Sequence, residues 1–137
     1  MNFVLDASVA LAWCLGDEAD DYSDRVLDAL VESEAVVPAL WPIEVINVLA
    51  VATRRDRMRS EDAREAQDLL KALPIVVEPF ERAQAFGGVA DLANAHGLTA
   101  YDASYLELAR RYGVPLATLD DALRVAAEAE GVIPWTP

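Results

Sequence analysis

Short, β-rich apolar runs alternate along this chain with longer stretches of helical periodicity, and that alternation leaves few folds open to it. Strands are predicted at Phe3-Val4-Leu5, Ala35-Val36-Val37, Ile75-Val76-Val77, Leu116-Ala117-Thr118 and, as a marginal fifth, Val132-Ile133. Helices are predicted near 7–14, 20–32, 42–56, 60–72, 81–95, 100–112 and 121–129. Several of them stop at a glycine: His96-Gly97, Tyr112-Gly113 and Glu130-Gly131. Strands separated by helices pair in parallel, and the helices pack on both faces of the sheet. The expectation is the α/β class: a three-layer α/β/α fold whose short, mostly parallel sheet of about five strands is flanked by helices. With 137 residues, 54% of them hydrophobic, the chain is long enough for one core and too short for two, so one domain spanning 1–137 is expected.

That topology has a consequence for the acids. In parallel α/β units the C-terminal ends of strands and the N-terminal ends of helices share one edge of the sheet. Asp6 ends the first strand and Asp120 follows the fourth. Glu44 falls in the first turn of the helix after the second strand, where Pro42 suits the first helical position. Asp102 opens the helix that returns to the fourth strand through Gly113. Chain direction alone places four carboxylates on one rim.

Each acid taken singly has a simpler explanation. Asp6 can cap the helix over 7–14, Thr99-Ala100-Tyr101-Asp102 and Thr118-Leu119-Asp120-Asp121 have capping-box spacing with Asp in place of Glu, and Glu44 suits a helix dipole. Their polar company argues for more. Ser8 stands two residues after Asp6, Asn47 one helical turn after Glu44, and Thr118 two residues before Asp120. Each of these can orient a neighbouring carboxylate.

Composition excludes several classes. The single cysteine, Cys14, can build neither a disulfide framework nor a four-thiolate zinc site, which fits a reducing cytoplasm. No secretory leader is expected at the start of the chain. The longest apolar stretch, VVPALWPIEVINVLAVA, is interrupted by Pro38, Pro42, Glu44 and Asn47, so no membrane span is expected. Net charge is −13, from 11 basic and 24 acidic residues, which repels nucleic acid at long range. The exception is local: Arg54, Arg55, Arg57 and Arg59 crowd into six residues, as phosphate contacts or as a solvated helix end. A phosphate-accepting receiver domain needs an Asp after its middle strand, where this chain has Glu78-Pro79-Phe80. A haloacid-dehalogenase phosphatase needs Asp-x-Asp, where Asp6-Ala7-Ser8 lacks the second acid.

Four segments, in order, resemble the signatures of PIN-domain ribonucleases, and most closely the VapC toxins of toxin–antitoxin pairs. They are Val4-Leu5-Asp6-Ala7-Ser8, Val37 through Leu49 (VPALWPIEVINVL), Gly97 through Tyr105 (GLTAYDASY) and Leu116-Ala117-Thr118-Leu119-Asp120. The resemblance implies a PIN-like fold, a catalytic and metal-binding cluster of Asp6, Glu44, Asp102 and Asp120, and supporting roles for Ser8, Asn47 and Thr118. It further implies Mg²⁺ or Mn²⁺, hydrolysis of RNA to 5′-phosphate and 3′-hydroxyl ends, a VapB-like antitoxin, and a homodimer in the cytoplasm. One departure is Asp121, a second acid where members often carry a basic or neutral residue, which makes it a rival to Asp120, although the Thr118-x-Asp120 spacing favours Asp120. The alternative is a catalytically silent PIN fold that only binds a partner.

The residue types suit that chemistry. A hard divalent cation prefers carboxylate oxygens and water, and it can neutralise phosphoryl charge and activate a water. Without a cation such acids repel, so a raised pKa is expected among them. Chemistry by paired histidines is not available, because His96 is the only one; it lies in a last helical turn before Gly97 and is expected to stabilise that helix end.

Overall fold

Residues 2–137 are described by a computed structural model; Met1, the first residue of the predicted domain, lies outside them. Four strands form one sheet in the order β3-β2-β1-β4, every pair parallel: β1 (Phe3–Leu5), β2 (Ala35–Pro38), β3 (Ile75–Glu78) and β4 (Leu116–Ala117). The helices are α1 (Ala7–Cys14), α2 (Asp21–Ala29), α3 (Trp41–Arg54), α4 (Ser60–Ala72), α5 (Arg82–Gln84), α6 (Ala90–His96), α7 (Ala100–Tyr112) and α8 (Asp121–Ala129). The three-layer α/β/α expectation holds.

The first strand of the chain lies in the middle of the sheet. Phe3, Val4 and Leu5 are all fully buried, which explains a continuous apolar run rather than an alternating one. The next helix of the core, α3, buries Trp41, Val45, Leu49 and Ala52, a stripe at spacings of four, four and three. Packed on β1 and β2, α7 buries Tyr105, Leu106, Leu108 and Ala109. Both ends of α7 are written in the sequence: the Thr99 hydroxyl accepts from the Asp102 N–H at 3.1 Å, and Gly113 closes the helix at φ 65°.

Two expectations are corrected. The marginal fifth strand at Val132-Ile133 is not a strand. The tail makes one parallel bridge, Leu116 with Pro134, in which the Leu116 N–H donates to Ile133 and the Trp135 N–H donates to Leu116. With β4 only two residues long, a fifth strand has little ladder to pair with. The predicted helix over 81–95 is interrupted: Ala85–Val89, which contains Gly87-Gly88, is π-helical between α5 and α6. A Cβ on Gly88 would stand 3.1 Å from Glu107 Cγ, so glycine lets this widened turn approach α7.

The tail is held by other means. The Trp135 ring stacks on Phe3, with centroids 4.8 Å apart and an interplanar angle of 7°, and the Tyr22 hydroxyl donates to the Trp135 carbonyl at 2.7 Å. Trp135→Ala is expected to cost about 2 kcal/mol and lower the melting temperature by about 6 °C, with Trp135→Phe recovering most of the loss. A melting curve for each variant checks this.

Candidate active site

Four separate elements deliver acids to one rim. Asp6 follows β1, Glu44 is in the first turn of α3, Asp102 is in the first turn of α7, and Asp120 caps α8 after β4. Their fields overlap: Asp6 feels Asp102 and Asp120, Glu44 feels Asp6 and Asp102, and Asp102 feels Asp120.

Asp6 decides between the two explanations available to it. It occupies the N-cap position of α1, yet its side chain makes no capping bond there. Instead Oδ2 accepts two hydroxyls, Ser8 Oγ at 2.7 Å and Thr118 Oγ1 at 2.7 Å. Both hydroxyls are polarised in one direction, because each also accepts a backbone N–H: Ser8 from Leu119 at 3.0 Å, Thr118 from Asp120 at 3.0 Å. Each hydroxyl has one proton to give, and it goes to Asp6. The carboxylate is 5% exposed, and its other oxygen carries no such bond.

The neighbouring acids are anchored in the same way. Asp120 Oδ1 accepts the Leu123 N–H at 3.0 Å, which leaves Oδ2 free. Glu44 Oε1 accepts the hydroxyl of the fully buried Tyr105 at 3.0 Å, which leaves Oε2 free. Tyr105 is a site residue that a reading for acids and small hydroxyls misses. Its signal was position: it lies three residues after Asp102, one turn along the same face of α7.

Burial is the main cause that pushes Asp6, Glu44 and Asp102 above the ordinary carboxylate range, and the neighbouring acids push them further. Ser8 and Thr118 oppose the rise at Asp6, Tyr105 at Glu44, and Thr99 at Asp102. Among the described residues, no three His, Cys, Asp or Glu side chains are gathered into a ready-made metal cage. The donor set itself consists of hard oxygens that are short of positive charge, which fits Mg²⁺ or Mn²⁺.

Comparison with known proteins gives the family. The model of the PIN domain matches residues 3–129. The chain belongs to the PIN-domain family. It is VapC-like within that family, being 32% identical over 127 residues to Ribonuclease VapC3 of Pyrobaculum aerophilum, across 90% of this chain and 92% of that protein. In fold it is similar to PAE2754 from the same organism, with a TM-score of 0.73 at 23% identity, covering 98% of this chain and 83% of that one. It is likewise similar to a chain of VapBC2 from Rickettsia felis bound to a DNA fragment from their promoter, with a TM-score of 0.70 at 12% identity over 98% of both.

Other predicted residues of this PIN domain fall elsewhere. Asp121 turns away to an ion pair with Arg124, which leaves Asp120 as the acid on the rim. Asn47 is exposed and hydrogen-bonds none of the four acids. The arginine cluster lies at the far end of α3: Arg54 is ten residues beyond Glu44, about 15 Å along the helix. There Arg57 pairs with Asp17 at 2.8 Å, and Arg59 pairs with Asp62 at 3.4 Å and Glu61 at 3.8 Å, while Arg54 and Arg55 are exposed. His96 joins the end of α6 to the chain just after α8, its Nε2 being 2.9 Å from Glu130 Oε1.

A pH dependence follows for the protein in chelator. Carboxyls whose native pKa is raised hold a proton more readily folded than unfolded, so the stability they contribute is present at low pH and lost as pH climbs through the raised values. The melting temperature is expected to fall as pH rises above the ordinary carboxylate range, and Asp6→Asn is expected to flatten the curve. Asp17 and Glu130 are shifted the opposite way, by Arg57 and His96, and titrate below that window. A rising melting temperature over that interval contradicts the assignment.

Proposed function

We propose that this VapC-like protein is a metal-dependent endoribonuclease toxin, with Asp6, Glu44, Asp102 and Asp120 as its working acids. The observation that carries the reading is the division of labour within the carboxylates: Asp6, Glu44 and Asp120 each tie one oxygen to the fold and leave one free. A cap needs only the tied oxygen. The ribonuclease name of the 32% identical relative supports the activity.

The four acids would hold Mg²⁺ or Mn²⁺, which when bound supplies positive charge to the phosphoryl oxygens and acidifies a water. The chain's own residues do the rest. Ser8 and Thr118 favour the ionised form of Asp6, against a burial that favours its neutral form. Tyr105 fixes the Glu44 carboxylate and presents its free oxygen to the rim. The N-termini of α3 and α7 favour the negative forms of Glu44 and Asp102. Hydrolysis then leaves a 5′ phosphate and a 3′ hydroxyl.

The partner fits the surface beside the rim. A cleft of about 390 Å³ is lined by Trp41, Val45, Ile46, Leu73, Ile75 and Val77. It begins at Trp41, three residues before Glu44, and the buried Trp41 indole N–H finds no acceptor among the described residues. We assign this cleft to an apolar segment of a VapB-like antitoxin, with a basic tail crossing the acidic rim.

Cellular RNA incubated with the protein in Mn²⁺, in Mg²⁺ and in chelator, followed by mapping of 5′ ends, tests the activity. Cuts bearing 5′ phosphates that require the metal and vanish in Asp6→Asn are the expected result. A protein that binds its antitoxin but cuts nothing in any metal is instead the silent partner-binding module.

A further inference from the structure

The acidic charge of this chain sets a problem that the four carboxylates do not solve: RNA has to be held close to a surface that repels it. Three of the arginines are already paired with acids. Arg124, one turn past Asp120, is bound to Asp121, and Arg57 and Arg59 face acids at the opposite end of α3. Contact without charge is a further source of affinity, beside any cation the acids hold.

Tyr101 is placed to give it. It is 66% exposed although it is an aromatic residue in the first turn of α7, immediately before Asp102. Tyr105, four residues later and therefore on the same face one turn along, is fully buried with its hydroxyl on Glu44. Tyr101 thus stands on the Glu44 side of α7, one turn nearer the rim. Ile43, 72% exposed and immediately before Glu44, flanks the acids from α3. The two apolar side chains differ in what they offer: a planar ring stacks on a nucleobase, whereas an aliphatic chain only excludes water. Lone exposed apolar residues are ordinary on protein surfaces. An exposed ring one residue from Asp102 and one turn from the Tyr105–Glu44 bond is another matter, because single-stranded RNA is held largely by stacking on such rings.

We propose that Tyr101 is a substrate-positioning residue, a stacking platform for a base next to the scissile phosphate of single-stranded RNA. The inference rests on the ribonuclease reading. Stacking is indifferent to net charge, so it supplies affinity where Coulomb attraction is missing. It also favours unpaired RNA, since a base inside a duplex cannot present its face to the ring.

The test is steady-state cleavage, in Mn²⁺, of a fluorescent single-stranded RNA selected from a randomised library by the wild-type protein. Tyr101→Ala is expected to raise KM about 10- to 100-fold with kcat little changed. Tyr101→Phe and Tyr101→Trp are expected to keep a near wild-type KM, because each retains a ring. A 2-aminopurine placed beside the cleavage site should be quenched on binding by protein with a ring at this position and not by Tyr101→Ala. Melting temperatures should agree across the set, since the residue is exposed. A Tyr101→Ala protein with wild-type KM and quenching overturns the proposal and leaves the ribonuclease reading standing. Equal damage in Tyr101→Phe overturns it in favour of the hydroxyl. If the wild type cuts no member of the library in any metal, the ribonuclease reading falls and takes this inference with it.

Discussion

Asp102→Asn is expected to melt higher than the wild-type protein in chelator and lower than it in Mn²⁺. Two carboxylates that share a site repel, by on the order of 2 kcal/mol at an effective dielectric near 20. Asp102 is only partly buried, and solvent screening reduces its share to about 1 kcal/mol, or about 4 °C in a domain of this size. Removing that charge relieves Asp6, Glu44 and Asp120 together, since Asp102 is coupled to each of them. The order reverses with metal. A cation at a hundred times its dissociation constant stabilises the wild type by about 2.7 kcal/mol, or about 10 °C, and the variant, short of one ligand, gains only a fraction of that. Cleavage should fall at least about 100-fold. Melting curves with and without Mn²⁺ check the crossing, and equal responses to metal in the two proteins would mean that Asp102 does not share a site with the others.

Removing the hydroxyls that serve Asp6 should be the most damaging change at the site for stability. Ser8→Ala with Thr118→Val strips Oδ2 of both donors and leaves a 5% exposed carboxylate without compensation. Hydrogen bonds to a charged group contribute about 1.5 to 3 kcal/mol each, and the two share one oxygen, so about 3 kcal/mol and a fall of about 10 °C at pH 7 are expected. The sign with pH is diagnostic. Without its donors Asp6 titrates higher still, so the deficit is largest at neutral pH and shrinks on acidification, as the carboxyl takes a proton and no longer needs them. In an Asp6→Asn background the same pair of substitutions should cost about 1 kcal/mol, because no charge is left stranded. A cost that is the same in both backgrounds would assign the hydroxyls to packing alone.

Much of this was legible before any coordinates. Phe3-Val4-Leu5 reads as a buried strand because nothing polar interrupts it, and α7 reads cleanly because Thr99 starts it and Gly113 stops it. The rim followed from chain direction, a property of parallel topology that needs no side-chain detail. What failed had a different origin in each case. The π-helical turn at Ala85–Val89 keeps the chain helical on both sides of it, and its signal in the sequence was the Gly87-Gly88 pair that lets it approach Glu107. Tyr105 was hidden because a buried tyrosine looks like core until its hydroxyl is found on Glu44. Asn47 shares a helix face with Glu44 yet stays free of the acids, and the arginines, open to either reading in the sequence, lie at and beyond the opposite end of that helix.

The bond between Thr118 and Asp6 spans 112 residues of sequence and sits beside the pairing of Leu116 with Val4. Synthesis runs from β1 towards β4, so β1 is made before its neighbour on one side, and the hydroxyl that steadies Asp6 follows 112 residues after the acid. A product that stops short of Thr118 has Asp6 without that hydroxyl. On the ribonuclease reading this order is protective: Asp6 stays without its full setting until Thr118 has been made, so shorter fragments are not expected to cut.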